Sequence, residues 1–123
     1  MINHFIVVDD SKIDLFLIEK VVNLAFPDAT IKSFDKPDLA LEFLKSHQPL
    51  HNYTILLDIN MPLISGFDFL DIFDGFNEEF KAAYRIFILT SSNNITDIER
   101  GKSNKYVTDV LHKPLSKDTL LKL

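Results

Sequence analysis

Five short β-rich runs alternate with amphipathic helical stretches along these 123 residues, and this alternation constrains the fold more than any other feature. "HFIVV" (4–8) is an unbroken apolar run, the form of a strand covered on both faces. "TIKSF" (30–34), "YTILL" (53–57), "RIFIL" (85–89) and "VTDVL" (107–111) are the other four runs. From Lys12 to Ala25 the 14-17-18-21-25 spacing predicts a helix with a core stripe centred on Leu17, Ile18 and Val21. Pro27 and Asp28 end it. "KPDLALEFLKS" (36–46) has Pro37 in its first turn and an apolar face of Leu39, Ala40, Phe43 and Leu44. Phe69, Leu70, Phe73 and Phe76 share a face of the next helix. "NNITDIERGKS" (93–103) predicts a short polar helix, and "SKDTLLKL" opens a last one at a Ser116 cap. Such alternation implies an α/β fold: a doubly wound, five-stranded parallel sheet with helices on both faces and right-handed crossovers. Without repeat, linker or low-complexity tract, residues 1–123 are expected to form one domain.

Several function classes fall away. A net charge of −5 argues against nucleic acid, whose backbone needs clustered Lys and Arg. There is no cysteine, hence no disulfide framework or thiol chemistry. No apolar run approaches the ~20 residues of a membrane span, and the N-terminus lacks a signal-peptide layout. A soluble cytoplasmic protein is expected. His4, His47, His51 and His112 lack metal-ligand spacing and are read as surface or strand-end residues. The eleven Phe fit core spacing rather than a base-stacking platform, and three glycines make no phosphate-binding loop.

In open α/β sheets, ligands sit beyond the carboxyl ends of the strands. The first run stops at Asp9 and Asp10, the third at Asp58, the fourth at Thr90, and Lys113 follows the fifth. Taken singly these are ordinary: Asp10 or Ser11 suits a helix N-cap, and Asp58 a turn near Pro62 and Gly66. Taken together they imply a site. If the first and third strands are neighbours, ~4.8 Å apart, their carboxylates converge. Like charges ~5 Å apart repel by about 3 kcal/mol per pair at an effective dielectric of ~20. A divalent cation offsets that, and an all-oxygen set with few carboxylates suits Mg²⁺ with a phosphate partner. One carboxylate is then a nucleophile for a phosphoryl group, and the Thr90 hydroxyl and Lys113 ammonium are donors for its oxygens.

At this point the chain resembles the receiver domain of two-component response regulators. The resemblance rests on "VVDD", "LLDINMPLISG", "ILTSS" and "HKPL", in the family's order and spacing over nearly the whole chain. It implies the flavodoxin-like strand order 2-1-3-4-5. Residue by residue, it implies Asp58 as phosphoacceptor, Asp10 as direct Mg²⁺ ligand, Asp9 as ligand through water, and the Asn60 carbonyl as a further ligand. Thr90 would be the switch hydroxyl and Lys113 the phosphate-binding amine, ahead of a cis Lys113–Pro114 bond. Asn60 and Ser92 occupy the positions where the family tunes hydrolysis. The implied partner is a sensor histidine kinase or a phosphotransfer protein, with the chain a monomer or weak dimer that catalyses only its own phosphorylation and dephosphorylation. Ile13 and Phe16, off the core stripe of the first helix, are the expected docking residues.

Two departures stand out. Where the family often has Tyr or Phe, this chain has Val110, so switching is expected through the Thr90–Thr96 loop and the following helix. The last helix is also short: either it is minimal or the native chain continues. Two other classes stay in play. A haloacid dehalogenase-like phosphohydrolase shares the Asp, Mg²⁺, hydroxyl and lysine but needs a D-x-D pattern and a cap domain. A degenerate receiver would only bind partners, against which Asp9, Asp10, Asp58, Thr90 and Lys113 all stand intact.

Overall fold

The computed structural model describes residues 3–91 and 93–123. In chain order the elements are β1 (His4–Val8), α1 (Lys12–Ala25), β2 (Thr30–Phe34), α2 (Pro37–Ser46), β3 (Tyr53–Asp58), α3 (Gly66–Asp74), α4 (Glu78–Lys81), β4 (Tyr84–Thr90), α5 (Ile95–Ser103), β5 (Val107–His112) and α6 (Lys117–Leu121). The strands form one parallel sheet in the order β2-β1-β3-β4-β5, as expected.

Alternate residues of each central strand enter different cores, following the period-two pleat. Ile6, Val8, Ile55, Leu57, Ile86 and Ile88 face the core completed by α2 and α3, chiefly Leu41, Leu44, Phe69, Leu70 and Phe73. Phe5, Val7, Leu56, Phe87, Leu89 and Leu111 face the other, completed by Leu15, Ile18 and Val22 of α1 and Leu120 of α6. Burial on both faces is why β1 reads as an unbroken apolar run and β3 and β4 as largely apolar ones.

Four expectations need correction. The buried stripe of α1 is Leu15, Ile18 and Val22; Leu17 is exposed and Val21 only half-buried. Nearly every position from Ile13 to Ala25 that is not charged is apolar, so two helical phases fit equally, and packing on the sheet and α6 selects one. On α2, Leu41 is buried and Leu39 exposed, for the same reason. Finally, α4 has no counterpart in the sequence pattern, because one turn is too short to show a period. It is capped by Asn77 and held by Lys81, whose ammonium donates to the Asp74 carbonyl (2.8 Å) and the Tyr106 hydroxyl (2.9 Å). His47 is also not a simple surface residue: it lies between the hydroxyls of Tyr84 (2.9 Å) and Tyr53 (3.4 Å), and its burial lowers its pKa.

Candidate functional site

The site forms at the carboxyl edge of β1 and β3. Their register pairs Val8 with Leu57, so Asp9 and Asp58 follow at the same level. The Asp9 amide donates to the Phe34 carbonyl (3.1 Å), tying the strand end to β2. Asp9 and Asp58 are buried, at 0% and 5% exposure, while Asp10 is exposed. Carboxylate oxygens of Asp9, Asp10 and Asp58 all lie within 4.8 Å of one another.

Gly66 holds the loop after β3 over this edge. A Cβ at residue 66 would come within 2.9 Å of both the Asp58 carbonyl oxygen and Ile59 Cα, so only glycine lets α3 start so close. The Gly66 amide donates to the Ile59 carbonyl (3.0 Å), and the Asn60 amide approaches Asp58 Oδ1 (3.4 Å). Leu63, in the same loop, has a left-handed φ of 70°.

From the other side comes Lys113. Its backbone amide donates to the Thr90 carbonyl (2.8 Å), which aligns the ends of β4 and β5, and the Lys113–Pro114 bond is cis, as expected. Its ammonium lies 2.7 Å from Asp9 Oδ2, 2.9 Å from Asp14 Oδ2 and 3.5 Å from Asp58 Oδ1. Thr90 is buried at the end of β4, in register with His112.

The electrostatics follow from this crowding. Burial first, then the neighbouring Asp9 charge, pushes Asp58 up from 3.8 to about 6; Lys113 and the Asn60 amide oppose the rise, and Asp10 adds to it. Lys113 is raised as well: its burial disfavours the charge, but hydrogen bonds to Asp9 and Asp14 and the charge of Asp58 outweigh it. One ammonium is close enough to stay charged and too far from Asp58 to neutralise it. The pocket keeps an excess of negative charge that suits a divalent cation, and its donors are all oxygens.

The residues singled out from sequence thus fall into three places. Asp9, Asp10, Asp58, Asn60 and Lys113 meet around the pocket, with Thr90 at the neighbouring strand end. Val110 lies apart, buried beneath α5. Ile13 and Phe16 sit on the outer face of α1, 73% and 56% exposed. Ser92 lies outside the described residues. Sequence reading missed Asp14, which it placed in the helix stripe; its contact with Lys113 spans 99 residues and has no local signature.

Comparison with known proteins decides the family. Residues 5–123 match the response regulator receiver domain. The chain belongs to the response regulator receiver family. It is a signalling module of the two-component type, with the fold seen in solved receivers. A response regulator receiver protein from Dyadobacter fermentans is 31% identical with a TM-score of 0.90, covering 99% of this chain and 94% of that one. The chemotaxis protein CheY4 of Vibrio cholerae, 23% identical with a TM-score of 0.77 over 99% and 95% of the two chains, shares the fold. Stress response regulator protein 1 of Candida tropicalis is 29% identical over 92% of this receiver, which spans only 40% of that relative's length. Among the described residues of this receiver, no helix is long and apolar enough to cross a membrane.

Proposed function

We propose that this receiver takes a phosphoryl group from a phosphohistidine onto Asp58 and thereby changes a protein-binding surface. The observation that carries this is the convergence of three carboxylates with one ammonium 3.5 Å from Asp58. In the transfer, an Asp58 carboxylate oxygen attacks phosphorus, the P–N bond breaks, and its electron pair returns to the imidazole. Asp58 is left as an acyl phosphate. Lys113 donates to a phosphoryl oxygen, and the Thr90 hydroxyl donates to another. In the loss of signal, water attacks phosphorus, the P–O bond to Asp58 breaks with its electron pair returning to the carboxylate, and inorganic phosphate leaves as a proton of the attacking water passes to solvent.

Asp10, Asp58 and the Asn60 carbonyl would hold Mg²⁺, with Asp9 acting through water. Bound there, Mg²⁺ supplies positive charge that shields the incoming phosphoryl oxygens from the carboxylates. The donor is a sensor histidine kinase or phosphotransfer protein of the cytoplasm. To reach Asp58 it must seat on the carboxyl edge, where Ile13, Phe16 and Leu17 stand exposed on α1. A groove of about 450 Å³, lined by Leu17 but by neither Ile13 nor Phe16, runs between α1 and the Lys113–Leu115 segment.

The test is incubation with a small phosphodonor, with and without Mg²⁺. A stoichiometric, Mg²⁺-dependent, base-labile adduct is the expected result. Sustained phosphate release without an adduct would instead indicate a phosphohydrolase, and no reaction a degenerate receiver.

A further inference from the structure

Two helices of this chain open on the same pattern, "SKID" (11–14) at α1 and "SGFD" (65–68) at α3. At α3 it forms a reciprocal cap: the Asp68 amide donates to Ser65 Oγ (3.2 Å) and the Ser65 amide donates to Asp68 Oδ2 (3.0 Å). At α1 only the first half is made, from the Asp14 amide to Ser11 Oγ (3.2 Å). The Ser11 amide goes instead to Asp9 Oδ1 (2.9 Å). The Asp14 carboxylate turns away from its own helix end and accepts from the Lys113 ammonium (2.9 Å).

We propose that Asp14 is a positioning residue for Lys113: it fixes the second of the three N–H bonds of the ammonium, so that the third faces Asp58. This rests on Asp58 being the acceptor. A lysine ammonium has three donors and no acceptor. Asp9 Oδ2 takes one at 2.7 Å and Asp14 Oδ2 takes another at 2.9 Å. The third carboxylate within reach is that of Asp58, whose Oδ1 lies 3.5 Å away, beyond ordinary hydrogen-bond length. The ammonium therefore stands off the nucleophile instead of collapsing onto it. With Asp14 gone, one N–H needs a new acceptor, and Asp58 is the nearest carboxylate left. A direct ion pair there would occupy an oxygen that must attack phosphorus. Asp14 is 37% exposed, and a pair that wet contributes little stability, so its effect is on geometry.

The test compares Asp14→Asn with Asp14→Ala. Both remove the same charge, which would otherwise repel a phosphodonor, but only Asn keeps an acceptor oxygen in place. With a small phosphodonor and Mg²⁺, Asp14→Asn is expected to label at least roughly fivefold faster than Asp14→Ala, the scale of one net hydrogen bond. The Lys113 ammonium resonance in a proton–nitrogen NMR correlation is expected to persist in the parent and Asp14→Asn and to disappear in Asp14→Ala. Equal labelling rates in the two variants would overturn the proposal, and so would an unchanged Lys113 resonance in Asp14→Ala. If the parent takes no phosphoryl group at all, the Asp58 assignment fails, and the resonance alone still decides whether Asp14 holds Lys113.

Discussion

Gly101 on α5 sits so close over Val110 on β5 that a methyl group at residue 101 would come within 2.9 Å of Val110 Cγ2. Ile88 Cδ1 would be 3.2 Å away on the same side. The helix thus lies on the strand at the position where the family often carries an aromatic ring.

Gly101→Ala is therefore expected to destabilise the domain despite the better helix propensity of alanine. Overpacking costs ~1–3 kcal/mol and propensity returns about 1, leaving a net loss on the order of 1 kcal/mol. Val110→Ala should open the space, so the double variant should lose less than the two single losses summed. Additive losses in urea unfolding would mean that the Gly101–Val110 approach is not the cause.

The same packing bears on switching. Val110 is short, β-branched and buried, so it has no large rotamer swing to offer. Phosphorylation is expected to act on the segment from Thr90 into α5, whose start is capped by Asn94 through the Thr96 amide (2.9 Å). With a phosphoryl mimic bound, NMR shifts should concentrate on residues 90–103. Shifts confined to Val110 and the rest of β5 would rule this route out.

The raised Asp58 sets a pH dependence. Its folded value of about 6 exceeds the ordinary 3.8, so the folded chain binds that proton more tightly. Its favourable contribution is complete below the lower value and is lost as pH climbs through the higher one. The loss is on the order of 3 kcal/mol at ~1.4 kcal/mol per pH unit. Asp58→Asn, which stays neutral, should gain about that much stability at pH 7 and little near pH 4. Denaturant titrations at the two pH values check this; an equal gain at both would contradict the burial argument.

Much of this was legible beforehand, and the limits are physical. The sheet was readable because strands buried on both faces are largely apolar, and the pocket because every strand end except that of β2 carries a polar or charged side chain at one edge. The phase of α1 was not, since Leu15 and Leu17 compete on apolarity alone and only the neighbouring sheet and α6 choose between them. Nor was the Asp14–Lys113 pair, because the two residues lie 99 positions apart and the helical spacing alone assigns Asp14 to the stripe of α1.

Phe16 offers a test of docking. It is 56% exposed, with the Lys20 ammonium 5.2 Å from its ring centroid. Phe16→Ala is expected to slow transfer from a phosphohistidine protein by roughly tenfold, the cost of one apolar anchor, and to leave labelling by a small donor unchanged. Equal slowing with both donors would mark a folding defect rather than a lost contact.

The most direct measurement is the location of the phosphoryl group. After reaction with a small phosphodonor and Mg²⁺, peptide mass spectrometry should find one phosphoryl adduct, on Asp58, absent in Asp58→Asn and much reduced in Asp10→Ala. Full labelling of Asp58→Asn, or an adduct on any other residue of the parent, would contradict the assignment of Asp58 as the acceptor.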